Sequence, residues 1–282
     1  LILLIPFTAY VGFLEAKLSL NPEMTIAFAH GSFNVANTII QFPFIAVLAW
    51  LVTKLVPGKD TMVEYTPKHL DPIFIDRSPT LALSQAKSEV IRMGEYAIKG
   101  LEETYLYLTT KLRKHSDMAI QLEGALNNLD REITKYLISI SSKTMSEAES
   151  AKHTALMDSV RDIERIGDHF ENIIEYIDLQ ISNKVELTED AMTELSEMFD
   201  LTISAVKQAV HALEKMDREE ALAVLQKERK INQMEQKFRK QHIIRMNEGR
   251  CDATAGITFV DMLSDLERIS DHAVNIAEEV LN

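Results

Sequence analysis

The chain has 282 residues, 46% of them hydrophobic, and a formal net charge of −13, so it carries enough apolar material for a large core and is not a disordered chain. Residues 1–55 contain only Glu15, Lys17, Glu23 and Lys54, so the whole net charge falls on residues 56–282. An acidic body repels phosphate backbones, which argues against nucleic acid as a partner, and the single Cys251 excludes an internal disulfide and a thiolate zinc site.

The chain opens on LILLIPFTAYVGF, an apolar run without the initial Met and basic residues of a signal peptide. We read a fragment, with residues 1–14 as the tail of a membrane helix and residues 17–23 as a short polar turn. From Met24 to Thr53 there is no Asp, Glu, Lys or Arg, which is long enough for a membrane span of about 20 residues with some to spare. His30, Asn34, Asn37 and Gln41 follow 4, 3, 4 spacing and share one face of that helix. Polar groups in hydrocarbon need partners, so the stripe faces either other helices or a solute or ion pathway. Pro43 predicts a kink or a break, and Trp50 with Lys54 fits an interfacial belt on a cytoplasmic side.

Pro57, Pro67, Pro72 and Pro79 fall together with Gly58 and charges of both signs, which reads as a linker over 57–79. No proline follows Pro79, and the remaining sequence has the composition and 3.6-residue periodicity of helices. Ser78 and Pro79 form an N-cap and first-turn pair. We predict helices at 80–114, 117–141, 145–182, 188–215, 218–247 and 252–281, joined by short polar turns. The expected fold is all-α: a transmembrane helical segment followed by two tandem antiparallel three-helix bundles.

The six helices repeat as two sets of three. DIERIGDHFENI at 162–173 and DLERISDHAVNI at 265–276 agree at eight positions with an offset of 103. Glu123, Asn127 and Asp130 correspond to Glu228, Asn232 and Glu235, and Glu89 and Met93 to Glu194 and Met198, at an offset of 105. Glu164 and Asp168, like Glu267 and Asp271, lie four apart on one helical face, where like charges repel by a few tenths of a kcal/mol. They lie opposite the apolar positions Ile163, Ile166, Phe170, Ile173 and Ile177. Two readings stay open: solvated acidic faces, with Asp162–Arg165 and Asp265–Arg268 as local ion pairs, or oxygen-rich cation sites. In the second, Glu164, Asp168, Glu267 and Asp271 act with Glu123, Asn127, Glu228 and Asn232 on the neighbouring helices. His169 and His272 lie well around the helix and read as interface or surface residues.

The two [DE]-x-E-R-I-x-D segments in a six-helix array resemble the PhoU family of phosphate-uptake regulators over about 82–281. The resemblance implies two three-helix bundles with surface metal clusters held by ExxxD motifs on adjacent helices. Glu164, Asp168, Glu267 and Asp271 match that motif, while Asn127 and Asn232 stand where the family often has an acid. The implied cofactors are divalent metal ions: iron, zinc, manganese or magnesium. AFAHGSFNVANTIIQFPF is similar to the last conserved segment of sodium/phosphate cotransporters through His30, Phe33, Asn34, Pro43 and Phe44, and bacterial members of that family commonly end in a PhoU-like domain.

Together the resemblances imply domains at 1–56 (end of a membrane transport domain), 57–79 (linker) and 80–282, with repeats at about 80–183 and 188–282. They imply a non-enzymatic, sodium-dependent transporter of inorganic phosphate, multi-pass in the cell inner membrane, with residues 57–282 cytoplasmic. Its partners would be phosphate, the cotransported sodium, membrane lipid, and a cytoplasmic regulatory protein or a second copy of itself. The alternatives are a membrane-anchored metal-binding regulator of phosphate signalling, or a helical scaffold without a ligand.

Overall fold

The computed structural model describes residues 9–13, 15–16, 22–55 and 63–282, which fall into two compact units, 1–62 and 63–282. In the first unit, residues 9–13 and 15–16 are helical, and the rest of the expected membrane-helix tail and polar turn lies outside the described residues. Helix α1, Pro22–Leu55, follows. Its stretch Glu23–Val52 is long and apolar enough to cross a membrane. The helix runs through Pro43 without interruption, so of the expected kink or break the break is absent. A missing N–H and a ring at one position are absorbed when the neighbouring turns hold their helical bonds.

The second unit begins with an extended strap and a short helix α2, Ile73–Arg77. Six long helices follow: α3 Pro79–Thr110, α4 Arg113–Ser141, α5 Glu147–Asn183, α6 Glu189–Lys215, α7 Arg218–Asn247 and α8 Ala253–Leu281. These match the expected helices, the largest differences, four residues each, being the end of α3 at Thr110 rather than 114 and the start of α4 at Arg113 rather than 117. There Lys111 turns into the left-handed region with φ 56°, and its N–H closes on the Tyr107 carbonyl, which stops the helix. Ser78 caps α3 as expected, accepting from the Leu81 N–H, with Pro79 in the first turn. Ser146 and Glu149 close a capping box on α5, and Thr188, Asp217 and Asp252 cap α6, α7 and α8.

Helices α3, α4 and α5 form one antiparallel bundle, and α6, α7 and α8 form the other. The bundles pack side by side through α5 against α8 and α3 against α6, so the first and third helices of each bundle meet their repeat counterparts. The core is continuous across that seam, and Phe170, Phe199, Phe259 and Met93 are fully buried in it. Close approach is permitted where side chains are missing. Gly100 leaves room for the Phe170 ring, and Gly94 on α3 lies so near Val210 on α6 that a Cβ would sit 2.7 Å from its methyl group.

Residues 63–78, expected as linker, instead lie against the first bundle. The side-chain amide of Asn128 donates to the Tyr65 carbonyl at 2.7 Å, and the Tyr136 hydroxyl donates to the Asp71 carbonyl at 3.0 Å. Leu70, Phe74 and Ile75 pack on the core. Proline and mixed charge describe a chain without regular secondary structure, but they do not say whether its main chain finds partners.

Candidate functional site

The two acidic ridges form where α4 meets α5 and where α7 meets α8. The repeat sets this, because the residues four apart on each helix face a matching pair on its sequence neighbour. On the first ridge, Glu123 of α4 is only 9% exposed and faces Glu164, Asp168 and Glu171 of α5. Burial pushes its carboxyl up to about 7, and the negative charges of Glu171 and then Asp168 push in the same direction. Glu164 is raised too, by burial first and then by Asp168, with Arg165 opposing. On the second ridge, Glu267 is raised by burial, then by Asp271, Glu235 and Glu228, and Asp271 is raised by burial. The sequence-predicted carboxylates are thus brought together in two groups, one per bundle.

Glu171 joins the first group without having been expected. Its counterpart by the repeat offset is Val274, so the repeat could not flag it; its place one turn beyond Glu164 and Asp168 on the same helix could have. The second group is more nearly neutral, because the Arg239 Nε donates to the Glu235 carboxylate at 2.5 Å.

The carboxamides behave differently from the expected carbonyl ligands. Asn127 donates its amide N–H to Glu123, and Asn232 donates to Glu228, so in both bundles the asparagine satisfies the glutamate instead of offering an oxygen outward. Among the described residues no three acidic, histidine or cysteine side chains stand in a metal-ligating arrangement. The charge of the ridges fits a hard divalent cation, which would relieve the like-charge crowding. As they stand, Asn127 and Asn232 turn their amide N–H groups, not their carbonyl oxygens, to the neighbouring glutamates.

The expected local pairs Asp162–Arg165 and Asp265–Arg268 are not formed. Arg165 turns instead to Asp168 at 3.1 Å and toward Glu164 at 3.8 Å. Asp162 and Asp265 are taken by the other bundle. His272 Nδ1 lies 2.8 Å from the Asp162 carboxylate, and His169 Nδ1 lies 2.7 Å from that of Asp265. Asn275 donates to Asp162 at 2.9 Å, and the two imidazoles stack with centroids 5.5 Å apart. The histidines are therefore interface residues, joined in a reciprocal clasp across the α5–α8 seam. Periodicity within one helix carries no trace of a partner on another, but the identical spacing of Asp and His in both repeats was the available signal.

In α1, His30 and Asn34 pair at 3.1 Å, and the Gln41 amide donates to Asn37 at 3.0 Å. The stripe lies on one face as expected, and its members are linked to one another one helical turn apart.

A six-helix domain of two equivalent bundles, each with an acidic ridge between its second and third helices, defines the class of this protein by fold and site. A family model for the PhoU domain matches residues 90–177 and 195–280, one copy per bundle, and the chain belongs to the PhoU domain family. The chain is 21% identical over 285 aligned positions to YjbB of Escherichia coli K12, named as an inorganic phosphate export protein. That alignment covers 99% of this chain and 52% of YjbB, so the chain spans about half the length of the curated relatives it matches first. It is 27% identical to the phosphate-specific transport system accessory protein PhoU homolog 1 of Thermotoga maritima, over 75% of this chain and 89% of that one. The crystal structure of PhoU from Pseudomonas aeruginosa superposes with a TM-score of 0.68 at 21% identity, covering 72% of this chain and 97% of that one, a likeness of fold.

Proposed function

We propose that this chain is the C-terminal part of a sodium-dependent inorganic phosphate transporter of the cell inner membrane, with residues 57–282 as its cytoplasmic regulatory domain. The observation that carries the reading is the combination in one chain of an apolar helix long enough to span a membrane with a two-copy PhoU domain, aligned over 99% of its length with 52% of a relative whose name assigns it to inorganic phosphate export. The polar stripe His30, Asn34, Asn37 and Gln41 supports a helix that packs among others or borders the solute path, because a helix facing lipid on all sides leaves no use for four aligned polar groups. In this reading sodium is the coupling ion and phosphate the cargo.

The acidic ridges supply the regulatory side. Glu123, Glu164 and Asp168 with Asn127, and Glu228, Glu267 and Asp271 with Asn232, would hold a divalent cation in each bundle. The ion would add neutralising charge between two helices that otherwise repel. These residues hold the ion in place, and the helix pair transmits its presence through the continuous core.

The test is phosphate flux in proteoliposomes containing the complete transporter. We expect flux that follows an imposed sodium gradient and falls at least tenfold when potassium replaces sodium. Asn34→Leu should lower flux at normal membrane expression. Flux indifferent to sodium removes the coupling ion, and an absence of phosphate flux removes the transport reading altogether.

A further inference from the structure

The two bundles use one repeat position in different ways. Glu194 on α6 is held by Arg245 of α7, whose guanidinium donates to both carboxylate oxygens at 2.8 and 2.5 Å. Its counterpart Glu89 on α3 finds no such arginine, because the residue matching Arg245 at the repeat offset of 105 is the buried Ile140. Instead, Glu89 accepts the main-chain N–H groups of Lys68 and His69 at 3.1 and 3.0 Å. Arg92, whose counterpart is Glu197, donates to Glu89 at 2.6 Å and to the carbonyl of Thr66 at 3.0 Å. Glu89 and Arg92 thus form a slot that reads the main chain of an extended peptide, two N–H groups and a carbonyl, with no demand on its side chains. The slot has no equivalent in the second bundle.

We propose that this slot is a reversible docking site for the chain's own segment 63–78, a latch that detaches while the six-helix domain stays folded. Three observations carry it. No residue of 63–78 is fully buried, and α2 buries none of its five residues, so detachment gives up only the partial packing of Leu70, Phe74 and Ile75 and leaves the fully buried core side chains of α3 to α8 in place. A cavity of about 210 Å³ lies between Pro67, Leu70, Pro72 and Ile75 of the strap and Lys135 and Tyr136 of α4, so the strap is incompletely packed where it crosses the bundle. Finally, Glu89 is fully covered and Arg92 nearly so, yet they pair with each other. When the strap leaves, the two become a solvated i,i+3 ion pair and no charge is orphaned in the core. Glu194 lacks that freedom, since its arginine comes from another helix of the bundle.

Detachment frees 16 residues between the first unit and α3. At roughly 3.3 Å per residue this adds up to about 50 Å of reach. The latch would therefore set whether the six-helix domain is held on a short or a long tether, whatever ions the acidic ridges bind.

Hydrogen–deuterium exchange on the whole chain in detergent micelles tests this. In the unaltered protein, the amides of Lys68 and His69 should exchange at least ~100-fold faster than the core amides of α3 to α8, as a low-stability local opening does. Glu89→Ala should speed exchange across 63–72 by a further ~10-fold, with the amides of α5 to α8 changing less than about twofold. Asn128→Ala, on the solvent side of α4, should act in the same direction without touching a buried charge. Strap amides as slow as those of α3 would overturn the proposal, as would variants that speed exchange in all six helices together or leave the strap unchanged.

Discussion

Glu123→Gln separates the effect of crowded charge from that of packing. In the native chain the Glu123 carboxyl is pushed from its ordinary 4.5 to about 7, by burial and then by Glu171 and Asp168. Between those two values the folded state holds a proton that the unfolded state has lost, so stability falls as pH rises from about 4.5 to 7. The rise from 4.5 to about 7, at about 1.36 kcal/mol per tenfold change in proton affinity, sets a ceiling of about 3.4 kcal/mol. The facing carboxylates are part-exposed and screened by water, so we expect about 2 kcal/mol. Glutamine mimics the neutral acid and still accepts from Asn127. The variant should match the native protein below pH 4.5 and exceed it by about 2 kcal/mol above pH 7.5, or roughly 4–8 °C in Tm for a domain of this size. Thermal unfolding followed by circular dichroism across that range, in chelator, reads the difference directly. Millimolar manganese or magnesium should close the gap at high pH by stabilising the ionised form. A difference between variant and native protein that does not change with pH would refute the reasoning.

Three further outcomes follow from the geometry. Asp168→Ala should leave metal-free stability within about 0.5 kcal/mol, because the side chain is part-exposed and outside the core, yet abolish the metal-dependent rise in Tm from the first bundle; Asn127→Asp should enlarge that rise by adding a charged ligand, both read by thermal shift with and without metal. Asp265→Asn should destabilise the domain by about 1–3 kcal/mol in chemical denaturation, since Asp265 is 6% exposed and accepts from His169 across the seam, and His169→Ala in the same chain should add little more. Gly100→Ala should cost about 1–3 kcal/mol, because a Cβ there overlaps the ring of Phe170, and Phe170→Leu in the same chain should recover part of that loss.

The helices and their pairing were legible because they rest on local signals: the 3.6-residue stripe, the cap Ser78, and a repeat that places Glu164 and Glu267 at matched positions. Ridge facing ridge followed from the shortness of the turns. What escaped depended on partners distant in sequence. Asp162 stands three residues before Arg165 and reads as its mate, but it is met instead by His272 and Asn275 from across the seam. Asn127 reads as a carbonyl donor, yet a buried glutamate beside it claims its N–H first. The strap carries linker composition, and only the main-chain N–H groups of Lys68 and His69, donated to the distant Glu89, reveal that it is bound.

The clasp of Asp162, His169, Asp265 and His272 has the geometry of an isologous contact. Each repeat presents the same acid and the same imidazole, seven residues apart on its third helix, and receives their counterparts in return. One repeat alone therefore carries a self-complementary face: residues 79–183 hold both Asp162 and His169, and a second copy turned about a two-fold axis offers the same two groups in reverse. The present domain is the covalent form of such a pair. Its single-chain connection through residues 184–188 permits what a homodimer cannot, namely a slot for the strap on one half and an arginine on the other.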